Sequence, residues 1–392
     1  MATLLIVGAG INGVVAAIAL RQRGHKVILI DPGPLPHPLA ASTDISKAVR
    51  SCYGDDELYT ALAERAIARW REWNTEFGDT LYHEVGVMFL RQAEMQPGDF
   101  EYESFRLLSE RKHKVERMTS NRLRETFPAW NAEKFQDGFY DPEGGYAESG
   151  RVVGALLKRA ASLGVDLQEK SQFAHLDETD NGAKGAVLTD GTRLKGDKVI
   201  IAAGAWTPHL LPFTSRFLRS TGHPLFHLQP NDPTRFAPAR FPMFGGDITK
   251  TGYYGFPIGR EGVVKIGRHG PGREMPPDSS ERMVTADEEA GLREFLGWAF
   301  PTLADARITE SRLCFYCDTH DGNFWIAEDP DRAGLIIAAG DSGHGFKFAP
   351  VLGEIIADAV EAKDNPVLER FRWRPEVRPG TEKEAARFLG QA

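Results

Sequence analysis

The chain has 392 residues, 42% of them hydrophobic and 26% charged, with a formal net charge of −8 at pH 7. That length allows two domains, and that balance suits a packed globular protein and excludes a disordered one. The negative charge without a basic block argues against a nucleic-acid surface, and no apolar run reaches the roughly 20 residues of a membrane span.

Leu4 to Val7 reads as an apolar strand that enters Gly8-Ala9-Gly10-Ile11-Asn12-Gly13. A helical segment follows to Arg23, Gly24 stops it, and Val27 to Ile30 forms a second strand ended by Asp31. This strand, glycine turn and helix predict a dinucleotide site. Gly8 permits the tight turn, Gly10 lets the backbone approach a pyrophosphate, and Gly13 lets helix and strand pack closely. The helix N-terminus, with Ile11 and Asn12 in its first turn, favours phosphate charge, and Asp31 is spaced to accept hydrogen bonds from a ribose. FAD and NAD both remain open at this point. A signal peptide would have to destroy this site, so a cytoplasmic location is the expectation.

Residues 32–38 are proline-rich and form a loop. In the polar stretch from Ser42 to Gly54, Lys47 and Arg50 lie three apart, either facing one pocket or as solvated surface charges. From Tyr59, the apolar positions Leu62, Ala66, Trp70, Trp73 and Phe77 recur at helical spacing. Residues 80–91 read as strands and 100–118 as a helix, with a break at Pro128. Residues 138–150 are Gly-rich and acidic, 151–163 form a helix stopped by Gly164, and 165–169 form a strand.

Asp190-Gly191 marks a hairpin turn, and the strand 198–203 runs into Gly204-Ala205-Trp206, where small residues let backbone approach a ligand. Residues 213–257 suggest loops joining sheet strands. The strand 263–269 carries Lys265, Gly267 and His269 on one face. Thr285 to Glu288 has capping-box spacing for a helix ended by Pro301. The strand 311–318 puts Cys314 and Tyr316 on one face and Cys317 on the other, so the CxxC pair points apart. With Cys52 these are the three cysteines, too few for a disulfide framework or a four-thiolate metal site. After strands at 323–328 and 335–339, Gly340 to Lys347 is a second glycine-rich turn before a helix near Pro350. It gathers backbone donors, a positive helix end and Lys347 in a form suited to an anionic oxygen.

GAGING with Asp31, IIAAGAW at 200–206, YYGFP at 253–257, KIGRH at 265–269, CFYCDTHD at 314–321 and GDSGHGFKFAPVLGE at 340–354 together resemble one group. It is the flavoprotein amine oxidases of the glycine/D-amino-acid-oxidase superfamily, on the monomeric sarcosine oxidase branch, and the likeness covers nearly the whole chain. The resemblance implies FAD and an α/β fold. A Rossmann-like FAD-binding domain (1–80, 146–212, 319–392) would be intertwined with an α+β substrate domain built on a mixed sheet (81–145, 213–318). Cys314 would be joined through sulfur to the flavin 8α-methyl. Lys265 would lie at flavin N5 and assist oxygen reduction, since a fixed cation in a dry site stabilises superoxide far better than water does. Arg50 and Lys347 would hold the substrate carboxylate, Lys47 would cover the other flavin face, and Tyr254, His269 and Tyr316 would line the substrate. Motif and resemblance together assign the cofactor Gly8, Gly10, Ile11, Asn12, Gly13, Asp31, Ser42, Lys47, Ala203, Gly204, Trp206, Cys314, Gly343, His344, Gly345 and Lys347.

The implied reaction is oxidation of the secondary amine of an amino acid to an imine, with O2 reduced to H2O2. The substrate would be an N-methyl amino acid such as sarcosine, or a cyclic imino acid such as pipecolate or proline. The SxDISKxxR stretch, Asp341 before SGHG, and Phe371-Arg372-Trp373-Arg374-Pro375 look more like the fructosyl amino acid and pipecolate or saccharopine oxidases. The late arginines would then be an extra carboxylate contact. Fungal fructosyl oxidases carry a sugar-binding glutamate where His269 stands, which ranks fructosyl amino acids second. A flavin dehydrogenase with another electron acceptor is opposed by Lys265. A non-catalytic flavin-binding module gives no reason for Arg50, Lys265 and Lys347 to coexist. The expected partners are a small amine and O2, with the protein a monomer, and Gly390-Gln391-Ala392 is no peroxisomal address.

Overall fold

The computed structural model describes residues 1–180 and 182–381, so Gly390, Gln391 and Ala392 lie outside the described residues. A six-stranded sheet runs in the order Trp325–Glu328, Leu335–Ala339, Lys198–Ile201, Thr3–Val7, Lys26–Ile30, Asp166–Gln168. All pairs are parallel except the first. Parallel strands covered on both faces must be apolar throughout, which is why they read LLIV, VILI and LIIAA. Alternation divides them between two cores. Leu4 and Ile6 pack with the helices Ile11–Gln22, Ser149–Ser162 and Ala349–Val360, while Leu5 and Val7 face the strands Phe173–Thr179 and Gly182–Leu188.

A second, nine-stranded sheet is mixed. Its long members, Leu218–Gln229 and Arg307–Thr319, pair antiparallel, while Met243–Gly246 runs parallel to Val87–Arg91. Its aromatic core includes Trp130, Phe226, Phe241, Phe244, Phe295 and Phe300. A small sheet of Lys47–Val49, Gly145–Ala147 and Tyr82–His83 lies between the two. The fold is thus α/β, a Rossmann-type sheet beside a mixed-sheet unit, as the sequence implies. Among the described residues no helix is long and apolar enough to cross a membrane.

Two elements differ from expectation. The helix expected over 100–118 is Phe100–Glu110, because Lys112 turns into the left-handed region (φ 66°) and the chain continues into the strand Glu116–Arg117. The stretch expected as loops holds the 12-residue strand Leu218–Gln229, whose Gly222 and Pro224 mask its pattern. Pro224 is tolerated because its only ladder partner is Leu313, between the stretches that pair with Arg273–Glu274 and Val264–Arg268. The hairpin at Asp190-Gly191 is present, and gains Phe173–Thr179 as a third strand.

Candidate active site

Parallel pairing sends four strands to one edge of the six-stranded sheet, so the turns after Val7, Ile30, Ile201 and Ala339 gather there. Gly8 has φ 101°, and a Cβ on Gly13 would lie 1.8 Å from the Gly8 carbonyl oxygen, so neither position admits a side chain without moving the backbone. The helix Ile11–Gln22 starts at Gly10 with no acid in its first turn, leaving its positive end to an anion. The Ile11 amide donates to Ser42 Oγ (3.3 Å). Asp31 does more than the spacing suggests: it accepts from the Ala9 amide (2.9 Å) and the Gly33 amide (3.1 Å), bracing the glycine turn. Ala203, Gly204 and Trp206 form a tight turn beside it, with Gly204 at φ 53°. Asn12 Oδ1, Thr43 Oγ1 and Ser46 Oγ are buried with no hydrogen-bond partner among the described residues. Unpaired buried polar atoms around a phosphate-type turn fit a polar dinucleotide.

From Ser42 the chain runs under the mixed sheet and carries Lys47 to 3.3 Å from Cys314 Sγ. Asp44 lies between cations: Lys265 Nζ at 2.5 Å, Arg312 at 3.1 Å and Lys47 at 3.5 Å. Lys265 also donates to the Ser46 carbonyl (2.5 Å) and lies 4.9 Å from the Phe256 ring centre. Burial pushes Lys265 down to about 8, with Asp44 limiting the fall and Lys47 adding to it. Burial would raise Asp44, but Lys265, Lys47, His227 and Arg312 hold it well below the usual carboxylate range. Both side chains are buried to the same degree, and they differ because Asp44 has other cations to pair with, whereas Lys265 is repelled by Lys47. For Lys47, Cys314 and Asp44 outweigh burial and raise its pKa.

Beside this cluster opens a cleft of about 1400 Å³, whose lining includes Lys47, Arg50, Tyr53, Tyr254, His269, Tyr316, Gly343, His344 and Lys347. Lys265 and Cys314 are buried next to it. Tyr53 joins the two cations assigned to a carboxylate. The Arg50 guanidinium lies 4.7 Å from its ring centre, and Lys347 Nζ donates to its hydroxyl (2.8 Å) and to the His344 carbonyl (2.7 Å). His344 Nε2 faces the Gly322 carbonyl (2.9 Å), which accepts its proton, so Nδ1 accepts from the Tyr53 hydroxyl (3.1 Å). This chain fixes the direction of Lys347. The Tyr254 and Tyr316 hydroxyls are 3.5 Å apart. His269, just past the strand Val264–Arg268, is held by its amide on the Gly252 carbonyl (2.7 Å), with its ring 5.8 Å from Tyr316. Gly343 presses on Tyr316, where a Cβ would meet the ring at 2.3 Å; Gly345 does the same against Asp341.

Cys314 packs with Leu225 and Tyr316, and Cys317 with Phe217 and Trp325 in another core, so the CxxC thiols do point apart. Two late arginines lie elsewhere than expected. Arg374 is saturated by Asp321 (2.8 and 2.9 Å) and by the carbonyls of Phe324, Arg372 and Asn323. Arg372 is half exposed and pairs with Glu369 and Glu376, so neither serves a substrate carboxylate. Arg370 lines the cleft instead, paired with Asp56 at 2.9 Å. Asp44, Tyr53 and His227 were not singled out from sequence. Asp44 stood in view three residues before Lys47, but its main partner is 221 positions away.

A phosphate-type turn at a sheet edge, together with a separate cleft lined by cations and tyrosines, suits an enzyme that works through a bound dinucleotide. The family model for the DAO group of FAD dependent oxidoreductases matches residues 3–359, and the chain belongs to that family. It is 28% identical over 358 residues to N-methyl-L-tryptophan oxidase of Salmonella dublin, covering 91% of this chain and 93% of that protein. It is 26% identical over 366 residues to monomeric sarcosine oxidase of Bacillus sp. strain B-0618, covering 90% of each. Among solved structures, fructosamine oxidase (Amadoriase II) from Aspergillus fumigatus in complex with FSA superposes with a TM-score of 0.87 at 25% identity, over 99% of this chain and 94% of that one.

Proposed function

We propose that this FAD-dependent oxidoreductase oxidises the secondary amine of an amino acid, N-methylated or cyclic, to an imine and passes the electrons to O2. The observation that carries this reading is a cleft with two cations, Arg50 and Lys347, tied together through Tyr53 beside a dry Lys265. Two cations held in fixed directions in an aromatic-lined cleft present positive charge suited to a carboxylate. The names of the relatives, an N-methyl amino acid oxidase and a sarcosine oxidase, agree with a carboxylate beside a secondary amine. Bound FAD supplies the two-electron chemistry. Arg50 and Lys347 hold the carboxylate, Tyr254, Tyr316 and His269 wall the amine, and Lys265 offers its charge where oxygen is reduced. In this reading the enzyme is a cytoplasmic monomer. Fructosyl amino acids are the second reading: the fructosamine oxidase likeness and the Asp44-Ile45-Ser46-Lys47 stretch favour it, and His269 opposes it.

Peroxide release from sarcosine, N-methyl-L-tryptophan, L-proline, L-pipecolate, saccharopine and fructosyl-glycine tests the ranking. N-methyl or cyclic substrates lead; a clear lead for fructosyl-glycine reverses the order. Amine turnover that reduces an added quinone but yields no peroxide makes the protein a dehydrogenase. A flavin that no amine bleaches under anaerobic conditions ends the enzymatic reading.

Cys314 is our proposed point of covalent attachment, because its thiol is buried beside the cleft, 3.3 Å from the Lys47 ammonium, and stands at the attachment position of the motif that carries the resemblance. The flavin then survives acid precipitation and fluoresces with the protein band on a denaturing gel. Cys314→Ala removes that band and Cys317→Ala, in a separate core, keeps it. The opposite pattern, or a flavin that washes out of the wild type, rejects the linkage.

A further inference from the structure

The mixed sheet sets three protonatable side chains in one row. In the ladder between Leu218–Gln229 and Val264–Arg268, His227 is the direct partner of Lys265; in the ladder with Arg307–Thr319, it is the direct partner of Glu310. Direct cross-strand partners share a face and bring their Cβ atoms to about 5 Å. The row begins dry and ends wet, since the Lys265 side chain is 1% exposed and that of Glu310 is 53% exposed. Asp44 closes the inner end, with Oδ2 2.5 Å from Lys265 Nζ and Oδ1 3.7 Å from His227 Nε2. His227 Nδ1 lies 3.3 Å from Glu310 Oε2. The 3.7 Å step exceeds a hydrogen bond, so transfer across it requires the imidazole to move toward Asp44. The two faces of His227 therefore address a buried carboxylate and a solvated one, an arrangement that plain packing of a histidine does not require.

The other charges facing this row are cationic: Arg312 lies 3.1 Å from Asp44 Oδ1 and 3.9 Å from Glu310, and Lys47 lies 3.5 Å from Asp44. Together with Lys265 they keep Asp44 ionised at rest, able to orient both Lys265 and His227; a proton that His227 delivers to Oδ1 reaches Lys265 when the transiently protonated carboxyl group turns about its Cβ–Cγ bond. Cys314 is the remaining titratable group acting on Lys265.

We propose that Glu310, His227 and Asp44 form a proton conduit that reloads Lys265 from solvent during oxygen reduction. This rests on the reading of Lys265 as the group at the oxygen site. Forming H2O2 from O2 takes two electrons and two protons. The hydride equivalent removed from the amine α-carbon accounts for both electrons and one proton. Lys265 donates the second proton from its ammonium, and solvent returns it to the neutral amine through Glu310, His227 and Asp44. Glu310, His227 and Asp44 act through Lys265 and are positioning residues.

The test is a pH jump on the resting, oxidised holoenzyme. Crossing pH 8, where Lys265 titrates, changes the flavin absorbance of the wild type, and Lys265→Met removes that change. His227→Gln slows the relaxation by about 10²-fold, the low end of what a positioned proton-transfer group contributes, and added imidazole restores it. Glu310→Gln slows it at low buffer concentration, and more buffer restores the rate. Glu310 is more than half exposed, so this variant folds and carries the test even where the buried substitution does not. In the same variants the oxygen half-reaction gains a larger solvent deuterium isotope effect. Wild-type relaxation rates and isotope effects in the variants overturn the conduit while leaving Lys265 at the oxygen site. A Lys265→Met enzyme that is reoxidised at the wild-type rate removes Lys265 from that site, and the underlying reading fails with it.

Discussion

Replacing Lys265 with Met slows reoxidation of the reduced enzyme by orders of magnitude and slows reduction by the amine far less. The ammonium is fully buried, fixed by Asp44 and Ser46 at 2.5 Å each, and it needs no reorganisation as negative charge forms on oxygen. Removing such a donor from a water-excluded site costs about 3–4 kcal/mol of barrier, and each 1.4 kcal/mol or so is tenfold in rate. The same group sets a pH dependence. Burial lowers Lys265 to about 8, so the cation is complete below that pH and is lost as pH rises through it. The oxidative rate of the wild type is therefore level on the acid side and falls above pH 8 toward the rate of the Met variant, whose own profile lacks this step. Asp44 stays ionised throughout, since its surrounding cations hold it far down. Stopped-flow reduction under anaerobic conditions, followed by mixing with oxygenated buffer across this pH range, separates the two halves. Equal slowing of both, or an oxidative half that does not change, removes Lys265 from the role.

What was legible in the sequence had local causes. The capping box from Thr285 to Glu288 is present with both hydrogen bonds, because its four residues carry all that it needs. The glycine turn after Val7 is legible because its spacing is local, and a Cβ on Gly13 would meet the Gly8 carbonyl only five residues earlier, although the backbone that presses on Gly8 is that of the distant Ala202 and Ala203. The opposite faces of Cys314 and Cys317 followed from the period of a strand. What failed had distant causes. Leu218–Gln229 is a strand because Arg307–Thr319 pairs with it along its length, and its own Gly222 and Pro224 argue otherwise. Arg374 is taken up by Asp321 53 positions earlier, a pairing no local pattern discloses. At the site, cation spacing leaves Lys47 and Arg50 either facing one pocket or as solvated surface charges, and the structure puts both in the lining of the cleft. The buried carboxylate that organises Lys265 was missed, since local spacing cannot reveal a partner 221 residues away.

Arg50→Ala lowers kcat/KM for carboxylate substrates by about 10²–10³-fold, chiefly through KM, and leaves the matching carboxylate-free amines little changed. The guanidinium is anchored at one end by the Cys52 carbonyl and packs near Tyr53, Phe89 and Phe100 at 4.7, 5.6 and 5.8 Å from their ring centres. That aromatic cage fixes its plane and lowers the entropy lost when a carboxylate binds. Removing one partner of a desolvated, hydrogen-bonded charge pair costs on the order of 2–5 kcal/mol, which brackets the expected loss. Lys347 behaves differently because it also holds Tyr53 and, through it, His344. Lys347→Met therefore changes kcat together with KM, as the wall around the amine loosens, whereas Arg50→Lys, keeping charge without the planar fork, recovers only part of the loss. The contrast between the two positions is what a carboxylate clamp requires and what general electrostatic attraction does not. If carboxylate-free amines are oxidised as well as their amino acids, and Arg50→Ala leaves both unchanged, the two cations serve the cofactor or the fold, and the substrate is a plain amine.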